Sequence, residues 1–181
     1  MASSATEPSP RVREIVAAAG ELLERDGPEA LSMRRLAERL GIRAPSLYKH
    51  VSGKEELEAA LVSDGFEAIA AEFEEAVRDA ADPLGELARA YRRFALGRPH
   101  LYRLMTERPL PRELLRPGVE ERAALPLVHA AGGDPDRARA AWAFAHGMVV
   151  LELNGRFPPD ADLDAAWERG IAAFRDRPAT A

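Results

Sequence analysis

LSMRRLAERLGIRAPSLYKHVSGK, residues 31–54, is the stretch on which the reading of this chain turns. Met33, Leu36, Ala37 and Leu40 recur at the three–four spacing of one helical face, behind a Ser32 cap and ahead of Gly41. A second short helix is expected over roughly 44–50, with Pro45 tolerable in its first turn. Two short helices joined by Gly41-Ile42-Arg43 have the helix-turn-helix layout, in which the second helix enters the major groove of DNA. Leu36, Leu40 and Leu47 would fix the crossing of the pair and leave the other face of the second helix free.

The charge of the whole chain points the other way. Its 181 residues carry a formal net charge of −5, which at face value argues against nucleic acid as a partner. Locally the balance reverses. From Ser32 through Lys54 the cations Arg34, Arg35, Arg39, Arg43, Lys49 and Lys54 stand against one acid, Glu38, so the segment is +5 and the remainder carries −10. Positive charge concentrated on one motif of an acidic chain is the electrostatic footprint of DNA binding.

Outward from this segment the chain reads as helix after helix, and the fold class is all-α. Val12, Ile15, Val16, Ala19, Leu22 and Leu23 form one apolar stripe, started by Ser9-Pro10 and stopped by Asp26-Gly27-Pro28. Ser52-Gly53-Lys54-Glu55 reads as a capping box, with Ser52 as cap and Glu55 reaching back. It opens a long helix whose stripe runs through Leu57, Leu61, Ile69, Phe73, Ala76 and Val77. Asp82-Pro83 and Arg98-Pro99 start two more helices, and the proline-punctuated stretch 109–117 reads as loop with one turn of helix. A helix near 119–131 contains Pro126, where a kink or break is expected. Asp134-Pro135 starts a helix ending at Asn154-Gly155, and after Pro158-Pro159 a last one carries Leu163, Ala166, Trp167, Gly170, Ile171 and Phe174.

Several classes of function fall away. Without cysteine there are no disulfides, thiol nucleophiles, zinc fingers or iron–sulfur clusters. The histidines His50, His100, His129 and His146 are not at ligand spacing, and no metalloprotease, phosphate-loop or dinucleotide motif occurs. No enzyme, metal site or cofactor is expected. The longest apolar run, Ala141 to Leu151, is interrupted by His146 and too short for a bilayer. Residues 1–9 lack the features of a signal peptide, which suggests a cytoplasmic protein with no membrane partner.

The segment LSMRRLAERLGIRAPSLYKHVSGKEELEAAL, preceded by RVREIVAAAGELLERDG, resembles the DNA-binding domain of TetR-type transcriptional regulators. Gly41, Ser46-Leu47-Tyr48-Lys49-His50 and Lys54-Glu55-Glu56-Leu57 carry the resemblance. Val51 departs from the family's usual Phe, and Arg43-Ala44 lacks its usual Ser or Thr cap. The resemblance implies that Tyr48, His50 and Lys54 contact phosphate oxygens, which sets register. Arg34, Ala44, Pro45, Ser46 and Lys49 are then the candidates for base edges. Arg43 could serve either role, and Ser32 stands at the start of the motif.

The resemblance also implies an all-α architecture of two parts. These are an N-terminal three-helix helix-turn-helix domain and a C-terminal helical bundle for ligand sensing and dimerisation. The boundaries expected are a disordered tail at 1–8, a DNA-binding domain over 9–69 with its motif at 32–51, and a sensor domain over 70–181. PHLYRLM at 99–105 and WAFAHG at 142–147 resemble a subgroup of these C-terminal domains known by a Trp-His-Gly pattern. Candidate walls of an effector pocket are Phe66, Phe73, Tyr91, Phe94, Tyr102, Met105, Trp142 and His146. The helix over 136–154 is apolar nearly all round, so it is central to its own domain or shared with a partner. With the helix at 161–175 it could build a homodimer across a two-fold axis. The function expected is a ligand-responsive repressor that binds a palindromic double-stranded operator as a homodimer and responds to a small-molecule effector. The alternative is a helical ligand-binding or protein-interaction module whose helix-turn-helix no longer binds DNA.

Overall fold

The computed structural model describes residues 8–175, so the tail expected at 1–8, apart from Pro8, and the last residues of the sensor domain lie outside the described residues. The helices are α1 (Pro10–Asp26), α2 (Met33–Arg39), α3 (Ala44–Leu47), α4 (Lys54–Val77), α5 (Pro83–Gly97), α6 (Pro99–Thr106), α7 (Val119–Ala130), α8 (Pro135–Leu153) and α9 (Leu163–Ala172). Single 3-10 turns occupy Pro28–Ala30 and Arg112–Leu114. No strand occurs among the described residues. The chain divides into two compact units, one running up to Phe66 and including Arg98–Val119, the other made of Glu67–Gly97 and the chain from Glu120 onward.

The first unit is built on local signals that the sequence carries openly. The Ser9 hydroxyl accepts from the Val12 N–H and opens α1, and the Ser32 hydroxyl accepts from the Arg35 N–H and opens α2. At the end of α2, Gly41 N–H donates to the Glu38 carbonyl and Ile42 N–H to the Ala37 carbonyl, at 3.2 and 3.0 Å. This pair of bonds is a Schellman turn, and it holds Gly41 at φ +65°. Ile15, Leu23, Leu31, Leu36, Leu47, Val51 and Leu57 close the core beneath it.

Three local expectations need correction. The helix expected over 44–50 is helical only at Ala44–Leu47. His50 N–H donates to the Leu47 carbonyl at 2.9 Å, an i+3 bond that tightens the chain and drops Val51 into the core. The capping box is shifted by one residue. Leu57 N–H donates to the Gly53 carbonyl, so Gly53 holds the cap position and the third helical residue is Glu56, not Glu55. The Glu56 carboxylate accepts from the Ser52 N–H at 2.6 Å and from its hydroxyl at 2.5 Å. Finally, of the kink or break expected at Pro126 the break does not occur, and α7 runs unbroken through it. Proline deletes only its own N–H bond, and the following turn keeps its bonds, with Ala131 N–H donating to the Leu127 carbonyl at 2.9 Å.

One cap comes from a distant part of the chain. Arg98, ahead of α6, offers no side-chain cap, and Glu24 of α1 supplies it instead. Its carboxylate accepts from Leu101 N–H at 2.7 Å and His100 N–H at 3.4 Å, which satisfies two of the helix's free donors and places an anion at its positive end.

In the second unit Leu87, Tyr91, Phe94, Ala141, Ala145, Val149, Trp167 and Ile171 are buried. Arg92 of α5 joins three helices: it pairs with both carboxylate oxygens of Glu152 on α8 and reaches Asp164 on α9 at 2.5 Å. Its guanidinium also lies over the Trp167 ring, 5.9 Å from the centroid. The Trp167 indole N–H, which is buried, finds no acceptor among the described residues. Gly170 permits the contact of α9 with α8, because a Cβ there would collide with the Phe144 ring.

Two outcomes test this account. Gly41→Ala meets open space but forces an L side chain to φ +65°, so it should cost about 1–2 kcal/mol in urea unfolding, with an unchanged slope. The bonds from Ser52, side chain first and backbone second, hold the Glu56 carboxyl below its ordinary value of 4.5. A depressed carboxylate stabilises the fold above the unfolded-state pKa and loses that contribution as pH falls through the folded-state pKa. Glu56→Gln should therefore lower stability at pH 7 by roughly a few tenths of a kcal/mol, the scale of an exposed charged group. The two chains should converge in thermal melts as the pH falls below that of the folded-state carboxyl.

Candidate nucleic-acid interface

The six cations of the helix-turn-helix do not share one role. Arg35 pairs with Asp26 at 3.3 Å, and Arg39 pairs with Glu21, both acids belonging to α1. The Asp26 carboxyl sits below its ordinary range, first through its bond from Arg25 and then through Arg35 and Arg39. These two arginines tie α2 to α1 and are neutralised there. Arg34 points outward with its side chain 84% exposed, and its contact with Glu38 is long at 3.8 Å. Arg43, Lys49 and His50 are exposed, and their side chains have no ion-pair or hydrogen-bond partner among the described residues.

Around α3 the outward side chains gather on one short stretch. Leu47 is fully buried, so the residues flanking it in the turn, Pro45, Ser46, Tyr48 and Lys49, are left facing solvent. Tyr48 is 52% exposed, an unusual position for an aromatic ring beside a four-residue helix and one that leaves its hydroxyl free for a phosphate. Ala44 differs from its neighbours: it is partly buried and packs on the core, so its methyl is less available to a base than the ring of Pro45. Ser32 spends its oxygen on the α2 cap and retains a hydroxyl proton to donate.

Lys54 stands at the first residue of α4, with its ammonium 3.6 Å from Glu58 and its side chain about half exposed. Glu58 also receives Arg108 at 3.4 Å. Were the Lys54 ammonium to leave it, Glu58 would keep Arg108 as a counter-charge. Arg108 belongs to the loop after α6, and no local pattern connects it with Lys54. The acids Glu21, Asp26 and Glu58 are the residues that sequence reasoning missed. The i,i+4 spacing of Lys54 and Glu58 is the one signal that was open to it.

The expected effector residues separate between the two units. Phe66, Tyr102 and Met105 belong to the first, where Met105 lies so close to Gly65 that a Cβ there would meet its sulfur at 2.5 Å. In the second unit Phe73, Tyr91 and Trp142 line a small cavity of about 30 Å³ together with Leu127, Ala141 and Ala145. The Trp142 indole N–H donates to the Tyr91 hydroxyl at 3.2 Å, and the rings of Phe73 and Tyr91 stack at 6.4 Å. Phe94 is buried in the core, and His146 lies 6.1 Å from the Trp142 ring; neither lines the cavity. A larger open groove between α5 and α9, edged by Arg89, Arg92 and Arg93, contains none of the expected residues. Among the described residues no group of three or more His, Asp or Glu could hold a metal ion, and no helix is long and apolar enough to cross a membrane.

Relatives agree with the geometry. Residues 15–61 match the family described as bacterial regulatory proteins, tetR family, and residues 84–174 match the tetracyclin repressor-like, C-terminal domain. An uncharacterized HTH-type transcriptional regulator of Mycobacterium tuberculosis (strain ATCC 25618 / H37Rv) is 33% identical over 175 residues, which span 91% of this chain and 80% of the relative. A protein of unknown function from Rhodococcus sp. RHA1 has a similar structure, with a TM-score of 0.76 at 25% identity over 95% of this chain and 97% of its own. A TetR variant from Acinetobacter baumannii AYE in complex with minocycline gives a TM-score of 0.58 at 29% identity, over 88% of this chain and 91% of its own. A helix-turn-helix with its basic and aromatic side chains turned outward, followed by a helical bundle of the matching kind, places the chain in the TetR family of bacterial transcriptional regulators.

Proposed function

We propose that this regulator is a ligand-responsive repressor that binds a palindromic DNA operator as a homodimer in the cytoplasm. The observation that carries the DNA reading is the segregation of charge within the motif. Arg35 and Arg39 are consumed by α1, while Arg34, Arg43, Tyr48, Lys49, His50 and Lys54 remain exposed around α3. Tyr48, His50 and Lys54 are assigned to phosphates, and Arg34, Pro45, Ser46 and Lys49 to base edges, with Ala44 at their margin. Arg43 can reach either.

One α3 reads only a few base pairs, so specificity calls for two copies about 34–36 Å apart on a palindrome. α8 and α9 are the dimer elements we assign, matching the expected spans near 136–154 and 161–175. On α8, Ala140, Ala143 and Leu151 are exposed, and a Cβ at Gly147 would meet nothing within 4 Å. Beyond the exposed Asp136 and Arg139 of its first turns, this face is apolar and unoccupied by the chain's own core. The structural relative holding minocycline supports an effector role for the second unit. α4 belongs to both units as one unbroken helix, so a ligand favouring one conformer has a covalent route to Lys54.

Lys54→Ala should weaken binding to specific and random DNA alike and flatten the log–log salt dependence by about 0.9. Arg34→Ala should instead relax preference at one base pair, worth about 1–3 kcal/mol of discrimination in a competition assay. Identical effects of the two changes on both DNAs contradict this division of roles. Retention of helicity with no salt-dependent DNA binding favours the non-DNA-binding module. For the dimer, Gly147→Arg should shift the sedimenting species from dimer to monomer with unchanged helicity. A dimer that survives this substitution moves the interface elsewhere.

A further inference from the structure

The cavity of the second unit carries information about the chemistry of what it admits. Among the described residues no Arg, Lys, His, Asp or Glu lines it. The polar side-chain groups among its described lining residues are the Tyr91 hydroxyl and the Trp142 indole N–H, and these are bonded to each other at 3.2 Å. A charged ligand there would lose its hydration and find no counter-charge, which such an environment punishes heavily. An uncharged ring would meet a lining that includes the stacked rings of Phe73 and Tyr91 and the alanines Ala141 and Ala145 of α8.

As it stands the cavity of about 30 Å³ has room for little more than a water molecule or two. Its outer wall, however, is thin. Trp142 is 50% exposed although it lines the cavity, so its ring already stands half in water. Swinging it outward breaks its hydrogen bond to Tyr91 and its ring contact with His146, and vacates the buried part of an indole's space. Leu127, a second partly exposed wall residue, follows Pro126 on α7, where the helix lacks one backbone bond and yields more easily than a regular turn.

Resting on the reading of the second unit as the sensor, we propose that the effector is a small uncharged aromatic molecule of one or two rings with at most one hydrogen-bonding group. It displaces the Trp142 side chain and takes its place beside the Tyr91 hydroxyl. Trp142 acts as the gate, and Tyr91 as the single polar determinant of orientation.

The test uses the full chain and four congeners of one shape: toluene, phenol, benzoate and benzylammonium. Thermal melts followed by circular dichroism report binding, and titration of an operator selected from random DNA reports release. Toluene and phenol at millimolar concentration should raise Tm by a few degrees and weaken operator binding, while benzoate and benzylammonium leave both unchanged. Tyr91→Phe removes the oxygen that both holds Trp142 and would bond phenol, so it should tighten toluene and lower the preference for phenol over toluene about five- to tenfold, the worth of one hydrogen bond. Ala145→Leu fills the cavity and should abolish the response to both. A charged congener that raises Tm as much as phenol, or a preference for phenol over toluene that is indifferent to Tyr91→Phe, overturns the effector class and leaves the sensor reading standing. Failure of all four to raise Tm overturns the gate. Neutral probes that bind and leave operator affinity unchanged overturn the sensor reading, and the effector assignment with it.

Discussion

Everything this protein offers to DNA hangs on the burial of Leu47. A helix of four residues has no stability of its own, since nucleation alone outweighs the bonds it can form. α3 persists because Leu47, fully buried, and Val51, 3% exposed, anchor its turn in the first unit's core. That anchoring turns Pro45, Ser46, Tyr48 and Lys49 outward at fixed spacing. Val51 reaches the core even though its side chain is shorter than the Phe usual at this place in the family. The i+3 bond from His50 draws the backbone inward and makes up part of the reach.

Charge is the second constraint, and its bookkeeping changes once the partners are visible. A count of +5 over residues 32–54 treats six cations as equivalent. Pairing Arg35 with Asp26 and Arg39 with Glu21 removes two of them from the face available to DNA. The loss is also a gain in definition. A diffuse basic surface binds any phosphate backbone, whereas cations confined around α3, on a chain otherwise acidic, favour contact in one orientation. Surface pairs of this kind contribute little to stability. Their larger effect is to decide which arginines remain free.

What was legible in the sequence was local. Ser9, Ser32 and Asp134 cap the helices they were expected to cap, because a cap bonds only two or three residues away. The Gly41 turn was legible for the same reason. The misplaced capping box at Ser52 shows how fine the limit is: a helix starting one residue later transfers the reach-back role from Glu55 to Glu56, and both are glutamates. Contacts across the chain left no local trace. Glu24 caps a helix 76 residues away, and Arg92 binds Glu152 and Asp164 across gaps of 60 and 72 residues. The same blindness shaped the list of effector residues. Aromatic side chains and methionine stand out in a sequence, so Phe66, Phe94, Tyr102, Met105 and His146 are candidates alongside Phe73, Tyr91 and Trp142. The alanines that make room for a cavity, Ala141 and Ala145, do not stand out at all.

Those alanines explain a peculiarity of α8. Its sequence is apolar nearly all round, which seen alone suggests a helix buried on every side. Instead its inner face carries Ala138, Ala141, Ala145, Met148 and Val149 in the core, while the outer face runs from Asp136 and Arg139 through Ala140, Ala143 and Gly147 to Leu151, with Trp142 half exposed. Small residues on the outside expose little apolar area, so an isolated protomer bears only a modest hydrophobic patch. They also present a low surface on which a second helix can come close, so that backbone as well as side-chain atoms enter the contact. A face of leucines would bury more area and would leave a free protomer prone to indiscriminate association. A face of lysines would keep the protomer soluble and forbid the dimer. Alanine and glycine satisfy both demands at once, the composition that the proposed dimer asks of a surface tolerable alone and adhesive toward its own copy.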